Sequence, residues 1–192
     1  TDGRVLNEEL CELEADRAKD QNLKIARTFY KWYSYDFENK CWNWDSAPDY
    51  LAFCKWVERM KVRGIDVALN AGWCMPGDIL SNSWNGITPF TVEGDWQAST
   101  ENFAKWISDS VYDLVIKRGF TNVKYLIMFT EPQNGAGNLA EETPNTWVAW
   151  QQATAAIVAR LKKDKLDHAM GEYWYEWKAA GNDTENCIVD FD

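Results

Sequence analysis

The chain alternates between stretches whose apolar residues recur at helical spacing and short apolar runs that end in polar, aromatic loops. In residues 6–20, Leu6, Leu10, Leu13 and Ala15 recur among charges, with Asn7 placed as an N-cap and Glu8 and Glu9 in the first turn; this predicts an amphipathic helix. After Gln21-Asn22, residues 23–30 predict a strand that emerges into Lys31-Trp32-Tyr33-Ser34-Tyr35. Residues 36–49 read as an aromatic, polar loop, and a second helix is predicted over 49–63 on Leu51, Phe53, Cys54, Val57 and Met60. Gly64 is placed to close it, residues 65–71 form a second strand, and a Gly/Asn/Ser/Trp-rich loop runs on through Trp84 to Trp96. Ser99-Thr100-Glu101-Asn102 leads into a third helix on Phe103, Trp106, Ile107, Val111, Leu114 and Val115, closed by Gly119.

Residues 123–129 are apolar apart from Lys124, too short for a helix and patterned as a strand buried on both faces. The run stops at Thr130-Glu131-Pro132, followed by the loop Gln133-Asn134-Gly135-Ala136-Gly137. A fourth helix is predicted over 146–163, and residues 166–174 and 188–192 read as further strands. One unit therefore recurs: helix, Gly or Asn stop, short strand, aromatic-polar loop. Its spacing suits βα units, in which each helix supplies the crossover that parallel neighbours need. Each strand carries its polar and aromatic residues at its C-terminal end, the loading of a (β/α)8 barrel. A doubly wound sheet loads the same edge, but no Gly-rich phosphate loop is present to support one.

With 192 residues, 46% of them hydrophobic, and 12 Trp, 8 Tyr and 8 Phe, the chain can bury one sizeable core, and residues 1–192 are read as a single α/β domain. The formal net charge of -10 disfavours nucleic acid and anionic membranes as partners. No apolar run approaches the ~20 residues of a membrane span, and no signal-peptide pattern opens the chain. Thr1-Asp2-Gly3 nevertheless reads as an interior stretch, compatible with a targeting segment before it. Five scattered cysteines without a C-x-x-C pair, and a lone His168, point to no metal site and do not fix the compartment. No cofactor is expected.

Glu131 is the candidate with the clearest chemistry. A carboxylate at the C-terminal lip of a parallel strand sits where barrel enzymes keep their reacting groups, and Pro132 biases its backbone towards an extended form. The surrounding residues carry a resemblance. Phe120-Thr-Asn-Val-Lys-Tyr-Leu-Ile-Met-Phe-Thr-Glu-Pro-Gln-Asn134 resembles the fourth strand of clan-A glycoside hydrolases of the family 39 and family 5 type, which ends in Asn-Glu-Pro. Arg63-Gly-Ile-Asp-Val-Ala-Leu-Asn-Ala-Gly-Trp73 is similar to their third strand, and Lys24-Ile-Ala-Arg-Thr-Phe-Tyr30 to their second, which carries an active-site arginine. Asp164-Lys-Leu-Asp-His-Ala-Met-Gly171 looks like the approach to the fifth.

The resemblance implies a (β/α)8 TIM barrel, here a partial one covering about strands two to six, and cleavage of O-glycosidic bonds by a retaining mechanism. Glu131 would be the general acid/base and Arg27 the support of the partner carboxylate. Thr130 and Asn134 would contact the sugar, and Trp32, Trp73, Trp84 and Trp96 would stack on it or, equally, pack in the core. The substrate would be an oligo- or polysaccharide or a glycoside, and a secreted or periplasmic location is favoured over the cytoplasm. Two departures stand out. Thr130 replaces the family asparagine, and the strand that would supply the nucleophile, ~5–5.5 Å from the acid, is not recognisable. Glu172 is the local candidate, on a strand adjacent to that of Glu131. The expectation is a portion of a longer hydrolase, completed by the remaining barrel segments or by self-association. A carbohydrate-binding pseudo-enzyme on the same scaffold and a (β/α)-barrel enzyme with a non-sugar substrate are the alternatives.

Overall fold

A computed structural model describes residues 8–36, 38–71, 89–90, 92, 94–127, 146–164, 166 and 169–171. The helix-then-strand unit occurs four times among them: α1 (Glu8–Asp20) leads to β1 (Ile25–Phe29) and α2 (Pro48–Val62) to β4 (Asp66–Asn70). In the same way α3 (Trp96–Tyr112) leads to β5 (Val123–Ile127), and α4 (Thr146–Lys163) to β6 (Ala169–Gly171). Between β1 and α2, where a plain loop is expected, lies a small antiparallel hairpin of β2 (Tyr35–Asp36) and β3 (Cys41–Trp42). Its turn is built by Asp36, whose Oδ1 accepts from the backbone N–H groups of Glu38 (2.9 Å) and Asn39 (3.0 Å). The Asn39 side chain, which donates to Asp36 Oδ2 at 2.8 Å, is the main reason the Asp36 carboxyl titrates below its usual range.

Each helix end is set locally. Gly64 adopts φ 68°, its N–H bonds the Lys61 carbonyl (3.0 Å), and the next N–H, of Ile65, reaches back to Met60 (3.0 Å). This is a Schellman cap, sealed by the buried pair Met60 and Ile65. Asn22 (φ 55°) makes the same pair of bonds at the end of α1, to Lys19 (2.8 Å) and, through Leu23, to Ala18 (2.9 Å). At its other end, α3 begins one turn earlier than its Ser/Thr lead-in predicts. Asp95 is the N-cap and accepts from Ala98 N at 2.9 Å.

The strands form one parallel sheet in the order β1-β4-β5-β6. Alternation gives the sheet two unlike faces. Val67, Leu69, Ala71 and Leu126 join a single apolar cluster with Cys11 and Ala15 of α1, Phe53 and Val57 of α2, Phe103 and Ile107 of α3, and Ala153 and Ile157 of α4. Ala68, equally buried but on the other face, lies outside that cluster. The described helices thus cover one face of the sheet. On the other, Ile25, Arg27 and Phe29 are exposed and Tyr125 and Ile127 half-buried. The strand over 123–129 was expected to be buried on both faces. In β5 only Val123 and Leu126 are fully buried, because the helix layer lies on one side.

α1 shows a rotation that apolar counting misses. Its buried residues are Cys11, Ala15 and Ala18, whereas Leu10 and Leu13 are 44% and 43% exposed. Small side chains line the buried side of α1, and a ladder of opposite charges runs along its seam with α2. Glu8 meets Lys55 (3.7 Å) and Arg59 (3.2 Å), Glu12 meets Arg59 and Arg63 (2.5 Å for the latter), and Asp16 meets Arg63 (2.7 Å). The two series ascend together, so the helices run parallel.

Gly64 tests the capping geometry. Nothing lies within 4 Å of a Cβ added there, so the cost of Gly64→Ala is backbone strain alone. We expect a loss of ~1 kcal/mol, read as a lower urea midpoint at unchanged slope. Gly64→Asn should lose less, since asparagine tolerates the left-handed region. Equal losses for the two variants would contradict the cap.

Candidate functional site

The C-terminal end of the sheet collects the expected polar residues that can be described. Arg27 is in register with Ala68, and two residues on Phe29 pairs with Asn70, which pairs in turn with Ile127. Arg27, Phe29, Asn70 and Ile127 therefore share the face that the helices leave uncovered. The Arg27 guanidinium lies 5.3 Å from the centre of the Phe29 ring, a cation–π contact along one strand. Asn70 is fully buried at the end of an otherwise apolar run, and its backbone carbonyl accepts from Tyr30 N at 2.6 Å. The sequence analysis gives Asn70 no role of its own; the signal that marks it is one amide closing Val67-Ala68-Leu69. At the opposite end of the sheet Lys124 Nζ pairs with Asp66 Oδ2 at 3.1 Å.

Two of the four candidate stacking tryptophans lie among the described residues. Trp32, three positions beyond β1, is half-buried and meets Phe90 (5.8 Å, 80°) and Trp106 (6.3 Å, 64°) at steep angles. Trp96 is the first residue of α3 rather than the last of a loop, half-buried, with its carbonyl accepting from Thr100 Oγ1 at 2.7 Å. Both belong to segments that follow the C-terminal ends of strands, Trp32 after β1 and Trp96 before α3. Trp73, Trp84, Thr130, Glu131, Asn134 and Glu172 lie outside the described residues.

Behind Trp32 stands an aromatic core that composition alone cannot separate from a binding wall. Trp106, 1% exposed, stacks with Tyr30 (5.6 Å, 10°) and Trp42 (6.3 Å, 14°), and Trp42 stacks with Trp44 (5.6 Å, 13°). Burial governs titration here. It pushes the Cys54 thiol up to about 11 and raises the Tyr30 and Tyr50 phenols well above their ordinary range. Among the described residues no group of three or more His, Cys, Asp or Glu side chains gathers to hold a metal ion, and no helix is long and apolar enough to cross a membrane. Compared with known proteins, the chain matches no protein-family model and no curated protein sequence.

The raised thiol and phenols fix the sign of a pH dependence. All three groups are protonated in the fold and ionise more readily in the unfolded chain, so their contribution is complete below the unfolded thiol value of 9.0 and is lost as pH rises through about 11. The urea midpoint should hold between about pH 7 and 9 and then fall steeply, with the phenols adding to the loss from about pH 10 upward. A midpoint level to about pH 11 would show these groups to be solvated.

Proposed function

We propose that the chain carries the acid/base side of a retaining glycoside hydrolase built on a (β/α)8 scaffold. The observation that carries this reading is the sheet. β1, β4 and β5 run parallel and side by side in chain order, with the described helices on one face. That supports a singly wound barrel wall over a doubly wound sheet, whose helices cover both faces. It leaves Arg27 on the uncovered face, two strands from the one that leads into Thr130-Glu131-Pro132. Glu131 itself, four positions after Ile127, lies outside the described residues.

In this reading Glu131, protonated, donates to the departing glycosidic oxygen while a second carboxylate, ~5–5.5 Å away, attacks the anomeric carbon. Ionised, it then takes the proton of the incoming water as the glycosyl-enzyme bond breaks. Arg27 holds the attacking carboxylate in its charged form, and Trp32, Trp73, Trp84 and Trp96 offer rings to the sugar faces, with Thr130 and Asn134 as polar contacts. The nucleophile comes from outside this chain; Glu172, one unit after Glu131, would lie on the adjacent strand. The exposed Ile25 (47%) and Phe29 (38%) on the edge strand β1, with Leu23 (45%) just before it and the exposed Leu10 and Leu13 of α1, support completion by further barrel segments or a second copy. A monomeric 22.2 kDa species in size-exclusion chromatography would speak against that completion.

The test is hydrolysis of aryl glycosides by protein in which both carboxylates are present. Glu131→Gln should lower kcat by about 10²–10⁴, and undiminished turnover would remove the reading. A carbohydrate-binding pseudo-enzyme is the second reading, favoured by Thr130 in the place of the family asparagine. Sugar bound without turnover, and bound equally well by Glu131→Gln, selects it. Binding of phosphorylated or carboxylated metabolites in place of sugars selects a barrel enzyme of another class, against the grain of a chain with net charge -10.

A further inference from the structure

Away from the sheet rim, one buried charge gathers several partners. Asp113 is 3% exposed and lies where α3 passes into a π-helical turn, Asp113–Lys117. Its Oδ2 accepts from Tyr50 Oη (2.7 Å) and Arg118 Nε (2.6 Å), and Lys117 Nζ stands 3.7 Å from Oδ1. Arg118 lies 5.1 Å from the centre of the Tyr50 ring and 3.6 Å from Asp45, and its Nη2 donates to the Trp44 carbonyl at 2.5 Å. The π turn makes the pairing possible. Arg118 N bonds the Asp113 carbonyl (2.9 Å), five residues back. In a regular α-helix, residues five apart diverge by roughly 140° around the axis.

The Trp44 bond crosses from the helix layer to a segment otherwise held by ring packing and short backbone bonds. The β2–β3 hairpin has two residues in each strand, and so short a ladder is marginal by itself. Among the ties of this segment to the helices are the Trp42 ring on Trp106, the Tyr33 ring on Phe53 and the Arg118 fork on the Trp44 carbonyl. A pair retained for stability alone would be met as well by apolar side chains of similar volume. The fork does more, satisfying a carboxylate and a loop carbonyl with one rigid plane.

We propose that Asp113 and Arg118 are positioning residues that hold the 31–47 segment, and Trp32 with it, as a preformed wall beside the C-terminal end of β1. The role of that wall in ligand binding rests on the function proposed above; the clamp itself does not. Arg118→Lys keeps a positive charge near Asp113 but replaces the planar fork by a single nitrogen, so it loses the geometry that sets one N–H on each acceptor. Asp113→Asn keeps the shape and removes the charge.

Hydrogen exchange of the 192-residue chain, read by mass spectrometry, decides the clamp. In both variants the amides of residues 33–47 should exchange about 10- to 100-fold faster, while residues 67–70 and 123–127 keep their protection. Unchanged exchange in 33–47, or a loss spread evenly over the sheet strands, would overturn it. Titration with cello-, xylo- and chito-oligosaccharides, followed by tryptophan fluorescence, tests the wall. Arg118→Lys should weaken the wild-type affinity about tenfold (~1.4 kcal/mol), and an unchanged affinity beside a released segment would overturn the positioning role. If neither the unaltered chain nor the protein completed by its further barrel segments binds any of these sugars, the proposed function falls while the exchange result still decides the clamp.

Discussion

A parallel strand cannot turn straight back onto its neighbour. Each return trip needs a crossover, and in this chain the crossovers to β4, β5 and β6 each include a helix from the same layer. Much of the architecture follows. The face under the helices must be apolar at every second position, as Val67, Leu69 and Leu126 are. The other face is released from that demand and can carry Arg27, Phe29, Asn70 and Tyr125. An arginine and an asparagine on a parallel sheet would be expensive beneath a second helix layer. Here they sit on the side the helices do not use.

The parts of this plan that were legible in the sequence are those settled within a few residues. Asn22, Gly64 and Gly119 mark where helices end, because a left-handed residue is required there and few side chains accept it. Three of the helix-to-strand steps could be read from those marks together with the apolar spacing, and the fourth, α4 to β6, from spacing alone. The face of α1 could not be read from its leucines. It buries Cys11, Ala15 and Ala18, and is flanked by Glu8, Glu12 and Asp16 matching Lys55, Arg59 and Arg63, two series with the same four-residue step. The step itself was in the sequence; that the two series face each other is a fact of packing. The hairpin inside the expected loop escaped for a similar reason. Its strands are too short to show a period, and Asp36 organises the turn through hydrogen bonds.

For the site, residue type was legible and companionship was not. Arg27 was singled out on its own strand, but sharing a face with Asn70 depends on the register between β1 and β4, which neither strand states alone. Tryptophans pose a harder problem, since stacking on a sugar and stacking in a core make the same demand on the side chain. Trp106 and Trp32 look alike in the sequence; one is fully enclosed and the other half-open.

That difference gives the aromatic cluster an internal division of labour. Trp42 lies nearly parallel to both Trp44 and Trp106, so its ring is engaged in fixing the loop to the helix layer. Trp44 is crossed by Tyr50 at 78°, and its carbonyl is held by Arg118, which leaves it little freedom to serve a ligand. Trp32 meets its neighbours steeply and stays half-exposed. A ring presented this way has lost most of its rotamer entropy before any ligand arrives, so less of the contact energy goes into ordering it. On the function proposed above, rigid aromatic packing behind a half-open ring is a means of binding weakly polar faces, to which the core under residues 31–47 would contribute without touching the ligand.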